Sequence, residues 1–268
     1  MKATLPTDFM LRATGPERLC ELFHENSKLT SHTAVTFMPG AVKPSTFERY
    51  LMTRGFRQFP TGRRIALTDA RQSAARFKTV LRRRRTRREL GGALELADVG
   101  SLLIQALGCT AVVEEGEDGL IHALRAWPSA GGLYPLDVYV LASAVADLEP
   151  GAYHFNPITS ELEGLGSRPV GDIVGEAFFG QAFARDAALH VVLAATFERT
   201  LCKYGERGYR LLLLDAGHAA QNLLLAAEML ELNAAAMGGF CDDSLNRDLG
   251  LDGISEAVVH TLLFGRAS

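Results

Sequence analysis

The sequence predicts an α+β fold, in which segments typical of strands are mixed with helices around one long helix. The 268 residues are 47% hydrophobic, enough for a sizeable core. Several short β-rich runs alternate with helical patterns in the second half of the chain. Residues 211–232 are rich in Ala and Leu and contain no proline, which favours a long helix buried on most sides.

Residues 1–75 are predicted to form an α-rich N-terminal extension, and residues 76–268 the main domain. Segments 16–24 and 44–51 each begin with a proline, which is tolerated in the first turn of a helix. Between 54 and 68 the glycines, the proline and the arginines indicate a linker. A helical stretch at 73–81 then leads into a run of arginines.

The arginine run covers residues 82–88 and includes Thr86. It is open to three interpretations: a nucleic-acid patch or targeting signal, a solvated face, or a site for a phosphate monoester, which arginines bind through paired hydrogen bonds. The formal net charge of −3 argues against a dedicated nucleic-acid or anionic-membrane binder.

The remaining elements follow from hydrophobic spacing and turn residues. The expected order is a helix at 93–108 closed by Gly108, an acidic loop at 112–122, a strand at 137–142, a hairpin at 151–164 turning at Asn156 and Pro157, a helix at 170–184, a central strand at 189–197, a short helix at 243–249 and a buried strand at 257–264.

Two glycine pairs lie on predicted loops. Gly131 and Gly132 fall between two prolines in segment 125–135, and Gly238 and Gly239 follow the long helix. Glycine lets the backbone approach a flat ligand closely, but it also serves tight turns. The residues alone leave both explanations open for the first loop.

A polar stripe runs along the long helix, because Asp215, His218 and Asn222 are spaced at i, i+3 and i+7. A metal or proton-relay site is one explanation, and hydrogen bonds to neighbouring helices are the favoured one. These polar residues also interrupt any apolar run long enough for a bilayer. No metal site is predicted, since the four cysteines are scattered without a C-x-x-C pair, and a cytoplasmic protein is expected.

Four motifs in this order resemble the flavin-dependent nitroreductase superfamily and, within it, the SagB-type azoline dehydrogenases. They are Arg84-x-Thr86-x-Arg88, residues 128–135 (Pro-Ser-Ala-Gly-Gly-Leu-Tyr-Pro), residues 203–210 (Lys-Tyr-Gly-Glu-Arg-Gly-Tyr-Arg) and the Gly238-Gly239 pair. Residues 23–29 are also similar to the N-terminal segment of that subfamily. The resemblance implies a nitroreductase-like fold, with a mixed, mostly antiparallel sheet, flanking helices and a long buried central helix, in a homodimer.

The resemblance implies FMN as the cofactor. Arg84, Arg85 and Thr86 would hold its phosphate and ribityl chain, while Arg88 would reach the pyrimidine edge. A cation there stabilises negative charge on the reduced flavin.

The glycine loops and the C-terminus complete the implied cofactor site. Gly238 occupies a position where many nitroreductases have glutamate, so Gly238 and Gly239 would act through the main chain near flavin N5 and O4. Arg266 is expected to replace in part the basic residues that the family has after its last strand. The segment that would lie along the isoalloxazine comprises Pro128, Ser129, Ala130, Gly131 and Gly132.

Lys203 and Tyr204 match the Lys-Tyr pair of the subfamily. The resemblance implies that this pair serves removal of the α-proton of the substrate. Our hypothesis is that Lys203, with its pKa lowered by partial burial and by Arg207 or Arg210, takes the proton, and that Tyr204 orients the lysine or relays the proton. Without the resemblance, the two residues would be interpreted as an exposed strand end.

The implied substrate is a ribosomal precursor peptide already cyclised by a cyclodehydratase, whose thiazolines or oxazolines become thiazoles or oxazoles. Carrier-protein-bound thiazolines are a second possibility, and a general NAD(P)H-dependent nitro- or quinone reductase is the alternative activity. A non-enzymatic protein that docks through residues 82–88 and the N-terminal extension is a different class. No nucleic acid or membrane partner is expected.

Overall fold

A computed structural model describes residue 23 and residues 57–115, 120–166 and 168–267. Its centre is a seven-stranded sheet of order β1-β8-β7-β5-β9-β11-β10, in which all neighbouring strands are antiparallel. Two small sheets pair β2 with β6 in parallel and β3 with β4 in antiparallel fashion. The expected α+β class with a mostly antiparallel sheet is therefore confirmed. The strands are β1 Arg64–Ala66, β2 Leu94–Glu95, β3 Cys109–Glu115, β4 Leu120–Arg125, β5 Leu136–Ala142, β6 Val145–Ala146, β7 Gly151–Asn156, β8 Glu161–Gly164, β9 Leu189–Thr196, β10 Asn233–Met237 and β11 Glu256–Gly265.

Helices cover both faces of the central sheet and bury two hydrophobic clusters. Strand β9 lies between β5 and β11 and is buried along almost its whole length, as its continuous apolar run predicted. No described helix is long and apolar enough to cross a membrane. The described helices are α1 Phe77–Arg83, α2 Leu96–Leu107, α3 Val170–Ala177, α4 Ala182–Asp186, α5 Glu198–Tyr204, α6 Arg207–Met229 and α7 Asp242–Asp248.

The long helix α6 begins four residues before the predicted start and ends three residues before the predicted end. One of its faces packs on α2 and the sheet through Leu212, Ala219 and Leu223, which are fully buried. Leu213 and Leu214 are 40% and 58% exposed, so the helix is not buried on most sides within one chain. Two exposed leucines on one face of α6 are what a contact between subunits would require. The homodimer itself stays a prediction.

Two expected loops or linkers contain strands, and a third strand was not predicted. Of the predicted acidic loop at 112–122, residues 112–115 lie in β3 and residues 120–122 in β4, and these two strands pair with each other outside the central sheet. Residues 233–237 form β10, although their Asn-Ala-Ala-Ala-Met sequence does not favour a strand, because they pair with β11 along the sheet edge. In the predicted linker 54–68, Arg64–Ala66 pairs with β8.

One helix prediction and one strand-end interpretation needed correction. The segment 170–184 is split into α3 and α4, because Phe179 and Gly180 adopt positive φ angles of 53° and 65° that no α-helix continues through. The strand at 189–197 is followed by helix α5, so Lys203 and Tyr204 do not lie at a strand end. The predicted helices at 16–24 and 44–51 lie outside the described residues, apart from Phe23. The boundary between residues 75 and 76 stays a prediction.

Candidate active site

Lys203 and Tyr204 lie against the glycine loop at 128–132. They occupy the last turn of α5, and a Cβ placed on Gly131 would be 2.6 Å from Tyr204 Oη and 2.8 Å from Lys203 Nζ. Gly131 has a φ of 63°, and the Lys203 ammonium lies 5.6 Å from the centroid of the Tyr204 ring. Three predicted site residues, about 70 positions apart in sequence, thus meet where only glycine fits.

Asp215 of helix α6 holds the same loop from behind. Its carboxylate accepts hydrogen bonds from Ser129 Oγ and, at 3.3 Å, from the Ala130 N–H. Ser129 Oγ in turn accepts the Tyr134 N–H at 2.9 Å. Burial raises the pKa of Asp215, and the hydrogen bonds from Ser129 and Ala130 oppose that rise. Asp215 therefore fixes the loop that the resemblance places along the isoalloxazine ring.

The other two residues of the polar stripe on α6 differ: Asn222 makes hydrogen bonds inside the fold, and His218 faces the surface. Asn222 donates hydrogen bonds to the carbonyl oxygens of Ala106, in helix α2, and Ala126. For Asn222, the favoured explanation of bonds to a neighbouring helix is confirmed. His218 is exposed.

His122 contacts the loop from the β3–β4 hairpin, and sequence reasoning missed it. Its Nε2 lies 2.5 Å from the Gly132 carbonyl oxygen, a hydrogen-bond distance, and Gly132 has a φ of 68°. The acidic composition around His122 predicted a loop, so no sequence signal pointed to it. With Lys203 and Tyr204, it makes three titratable side chains around two adjacent glycines.

The glycines of the Lys-Tyr motif have separate structural reasons. Gly205 ends α5 with φ 53° and ψ −148°, a conformation confined almost entirely to glycine. Gly208 lies where α6 crosses α5, and a Cβ there would be 3.0 Å from the Thr200 carbonyl. Both glycines therefore set how closely α5, with Lys203 and Tyr204, packs on α6.

The second half of the Lys-Tyr motif contacts Phe23, which lies in the segment predicted to form an N-terminal extension. Tyr209 packs edge-on against Phe197 and Phe23, with ring centroids 5.5 and 5.4 Å apart. The Arg210 guanidinium lies over the Phe23 ring at 5.4 Å. Phe23 begins the N-terminal segment that resembles the SagB-type proteins.

Two arginines of the run pair with Glu228, near the end of α6, and the others do not. Arg83 and Arg87 form ion pairs of 3.0 and 2.8 Å with the two carboxylate oxygens of Glu228, whose side chain is only 4% exposed. The Arg87 N–H also donates to the Ala234 carbonyl in β10. These two arginines hold the run against the fold, and neither was predicted as a cofactor ligand.

The predicted phosphate ligands lie beside that anchor. Arg85 donates to the Arg82 and Arg84 carbonyl oxygens at 3.0 and 2.7 Å, Thr86 is exposed, and Arg84 is half-buried. Exposed guanidinium and hydroxyl groups on a fixed backbone suit a phosphate monoester. Arg88 stacks over Phe183 at 5.6 Å and lines a cavity of about 480 Å³ together with Glu89, Leu90, Gly91 and Asp186.

Gly238 and Gly239 follow β10 on an exposed loop, where a Cβ on either residue would meet nothing within 4 Å. Their main chain is open to a ligand, as a contact near flavin N5 and O4 would need. Arg266 forms an ion pair with Asp98 at 3.1 Å, and its backbone pairs with Gly92. Only Nη2 of Arg266 is in this pair and its side chain is 42% exposed, so its predicted part in cofactor binding would fall to the remaining guanidinium donors.

The predicted site residues therefore form two groups on one chain. The group of Lys203 and Gly131 meets α6 at Asp215, and the arginine group meets it at Glu228. At 1.5 Å per residue, these acids are about 20 Å apart along the helix axis.

Residues 81–266 match the model of the nitroreductase family, and the chain belongs to that family. A protein of Methanocaldococcus jannaschii named as a nitroreductase is 32% identical over 170 residues, or 63% of this chain and 81% of the relative. The microcin B17-processing protein McbC of Escherichia coli is 28% identical over 53% of this chain. The trifolitoxin-processing protein TfxB of Rhizobium leguminosarum is 26% identical over 54% of it. The matches span 54% of McbC and 40% of TfxB.

Solved structures share the fold. A nitroreductase-like protein of Anabaena variabilis has a TM-score of 0.71 at 26% identity, covering 91% of this chain and 45% of that one. A chain of the E. coli microcin synthetase McbBCD complex, solved with truncated pro-MccB17 bound, has a TM-score of 0.58 at 21% identity and covers the full length of both chains. At that identity the second likeness shows the fold alone.

Proposed function

We propose that this protein is an FMN-dependent dehydrogenase that oxidises thiazolines or oxazolines in a peptide to thiazoles or oxazoles. The observation that carries the proposal is the contact of Lys203 and Tyr204 with Gly131, on the loop expected to lie along the flavin ring. Membership of the nitroreductase family and similarity to two peptide-processing proteins, McbC and TfxB, support it. The more general conclusion, that the protein is an oxidoreductase of the nitroreductase family, does not depend on which substrate it uses.

The described residues fit FMN. The exposed Thr86 and the neighbouring arginines would hold the phosphate, Arg88 would reach the pyrimidine edge, and Gly238 and Gly239 would offer their main chain. When bound, FMN would supply an acceptor for the hydride that leaves Cβ of the azoline, and molecular oxygen would be the final oxidant.

The chain itself would supply the base. Lys203 Nζ takes the proton from Cα, so that Cα and Cβ become doubly bonded as the hydride leaves, and Tyr204 orients the amine. A free lysine has a pKa of about 10.4, so a neutral amine near pH 7 requires a lowered value. Lys203 is exposed in the single chain, which corrects the expectation of partial burial. The partner subunit, the cofactor and the substrate would therefore have to provide that environment.

A homodimer would join the two groups of site residues. In this proposal, the arginine group of one chain faces the Lys203 group of its partner, with Leu213 and Leu214 in the contact. The substrate would be a precursor peptide cyclised by a cyclodehydratase, the partner enzyme in this proposal.

The test uses the FMN-loaded protein and a peptide pretreated with a cyclodehydratase. We expect loss of two hydrogen atoms per azoline by mass spectrometry, and no loss with Lys203→Ala at unchanged FMN content. Lys78→Ala, at an exposed lysine of α1, is the control and should react at the wild-type rate. Oxidation by Lys203→Ala at that rate would overturn the assignment.

A second candidate is an NAD(P)H-dependent nitro- or quinone reductase. It is favoured by the M. jannaschii relative, which is more similar than McbC and is named as a nitroreductase. Such an enzyme has no α-proton to remove. Rapid oxidation of NAD(P)H by a nitroaromatic compound, unaffected by Lys203→Ala, would select this function, whereas negligible oxidation would exclude it.

A further inference from the structure

Helix α5 packs on α6 at Gly208 and on the core through Leu201, and it also makes one buried ion pair. It has seven residues, and only Arg199 and Thr200 are buried. An isolated helix of this length is unstable, so its orientation depends on tertiary contacts. Arg199 lies one helical turn before Lys203, and its side chain is 10% exposed.

The partner of Arg199 is Asp137, the second residue of β5. Arg199 Nη2 lies 3.2 Å from Asp137 Oδ2, and the aspartate side chain is 4% exposed. Strand β5 begins at Leu136, four residues after the last residue of the glycine loop. The ion pair therefore joins the helix that carries Lys203 to the strand that follows Gly131, the two parts that meet in the candidate site.

Asp137 is a fixed anchor. It accepts the Arg57 N–H at 2.9 Å through its other oxygen. Burial alone would raise the pKa of Asp137, but the charge of Arg199 and the further hydrogen bonds hold that pKa well below its usual range. Asp137 therefore stays charged at neutral pH and remains a partner for the guanidinium.

A buried ion pair is weak support for stability, since removing two charges from water offsets most of their attraction. What such a pair does fix is geometry, because moving either group away would leave a buried charge without its partner. We infer that Arg199 is a positioning residue, which acts through its ion pair with Asp137 to hold Lys203 and Tyr204 at the glycine loop. The effect on catalysis rests on the proposed function, whereas the anchoring of α5 does not.

The test compares Arg199→Met and Arg199→Lys with Arg57→Met in the FMN-loaded full chain. Arg57 belongs to the same polar cluster, because its side chain pairs with Glu256 at 2.9 Å and bonds Tyr139 at 3.3 Å. It does not belong to α5, and its N–H to Asp137 survives the substitution. Arg57→Met thus controls for general loss of a partly buried guanidinium.

Hydrogen exchange is the readout that needs no activity. We expect the amides of Glu198–Tyr204 to exchange at least tenfold faster in Arg199→Met than in wild type or Arg57→Met, and Arg199→Lys to restore part of the protection. Equal exchange in all four proteins would overturn the anchoring. If Arg199→Met fails to fold, Asp137→Asn, which keeps the shape of the acceptor, is measured in its place with the same expectation.

Azoline oxidation is the second readout. A misplacement of about 1 Å lowers a rate roughly 10²-fold, so kcat should fall by that order in Arg199→Met while KM and FMN content change little. With substrate deuterated at Cα, the isotope effect should increase, because proton removal becomes slower relative to other steps. An unchanged kcat and isotope effect would overturn the positioning role. A wild-type protein that oxidises no azoline would instead refute the proposed function, and the exchange result would still decide whether Arg199 anchors α5.

Discussion

Replacing Gly131 with alanine would place a methyl group among the two proposed catalytic side chains. Its Cβ would lie 2.6 Å from Tyr204 Oη and 2.8 Å from Lys203 Nζ, whereas an ordinary contact begins at 3.4 Å. Both polar atoms must therefore retreat by more than about 0.5 Å. The φ of 63° adds a backbone penalty of about 1–2 kcal/mol for any L-residue, which corresponds to a Tm lower by roughly 2–8 °C.

Gly250 offers a matched control, because its φ is 69° and a Cβ there would meet nothing within 4 Å. Gly250→Ala should lose the same stability as Gly131→Ala and keep full azoline oxidation. Gly131→Ala should in addition lose activity by about 10²-fold, because Lys203 no longer reaches its position. Thermal unfolding and a mass-based oxidation assay measure both effects. If the two variants were equally active, the contact at Gly131 would have no part in catalysis.

Three further predictions concern the supports of the site and of the core. Gly208→Ala should push α5 away from α6 and reduce azoline oxidation at unchanged FMN content, whereas Gly175→Ala, in a helix with open space around it, should be fully active; equal activities would contradict this. Asp215→Ala should expose the 128–132 loop to protease, because Ser129 Oγ and the Ala130 N–H lose their acceptor at a cost of about 1–3 kcal/mol. An unchanged rate of proteolytic cleavage would contradict this role of Asp215. Burial lowers the pKa of His190 to about 4, so the unfolded chain binds its proton first as the pH falls below about 6.5. The free energy of unfolding, measured in denaturant titrations, should then decrease by about 3 kcal/mol towards pH 4, and by much less in His190→Gln. An equal decrease in both proteins would exclude His190 as the cause.

Local patterns predicted most elements of the sheet, and long-range pairing decided the others. The apolar run of β9 identified a central strand, and Asn156 with Pro157 identified the hairpin turn. Strand β10 was missed, because its alanines form a strand only through their pairing with β11. The β3–β4 pair was missed because the apolar residues of β3, Val112 and Val113, are exposed and give no buried face.

The motifs identified the site residues, but their grouping comes from the fold. Nothing in the run 82–88 distinguishes Arg83 and Arg87 from their neighbours until Glu228 approaches them from α6. Arg266 is likewise committed to Asp98, a residue far away in sequence. These pairings decide which arginines are open to a cofactor, and they depend on contacts between distant segments that periodicity does not encode.

The most direct test of the central claim is anaerobic reduction of the bound flavin by an azoline peptide. Loss of the flavin absorption band measures this reduction. The account predicts that the wild-type protein is reduced in a single turnover, whereas Lys203→Ala, with the same FMN content, stays oxidised. Reduction of Lys203→Ala at the wild-type rate, or a wild-type flavin that an azoline never reduces, would contradict the claim that Lys203 beside Gly131 removes the α-proton.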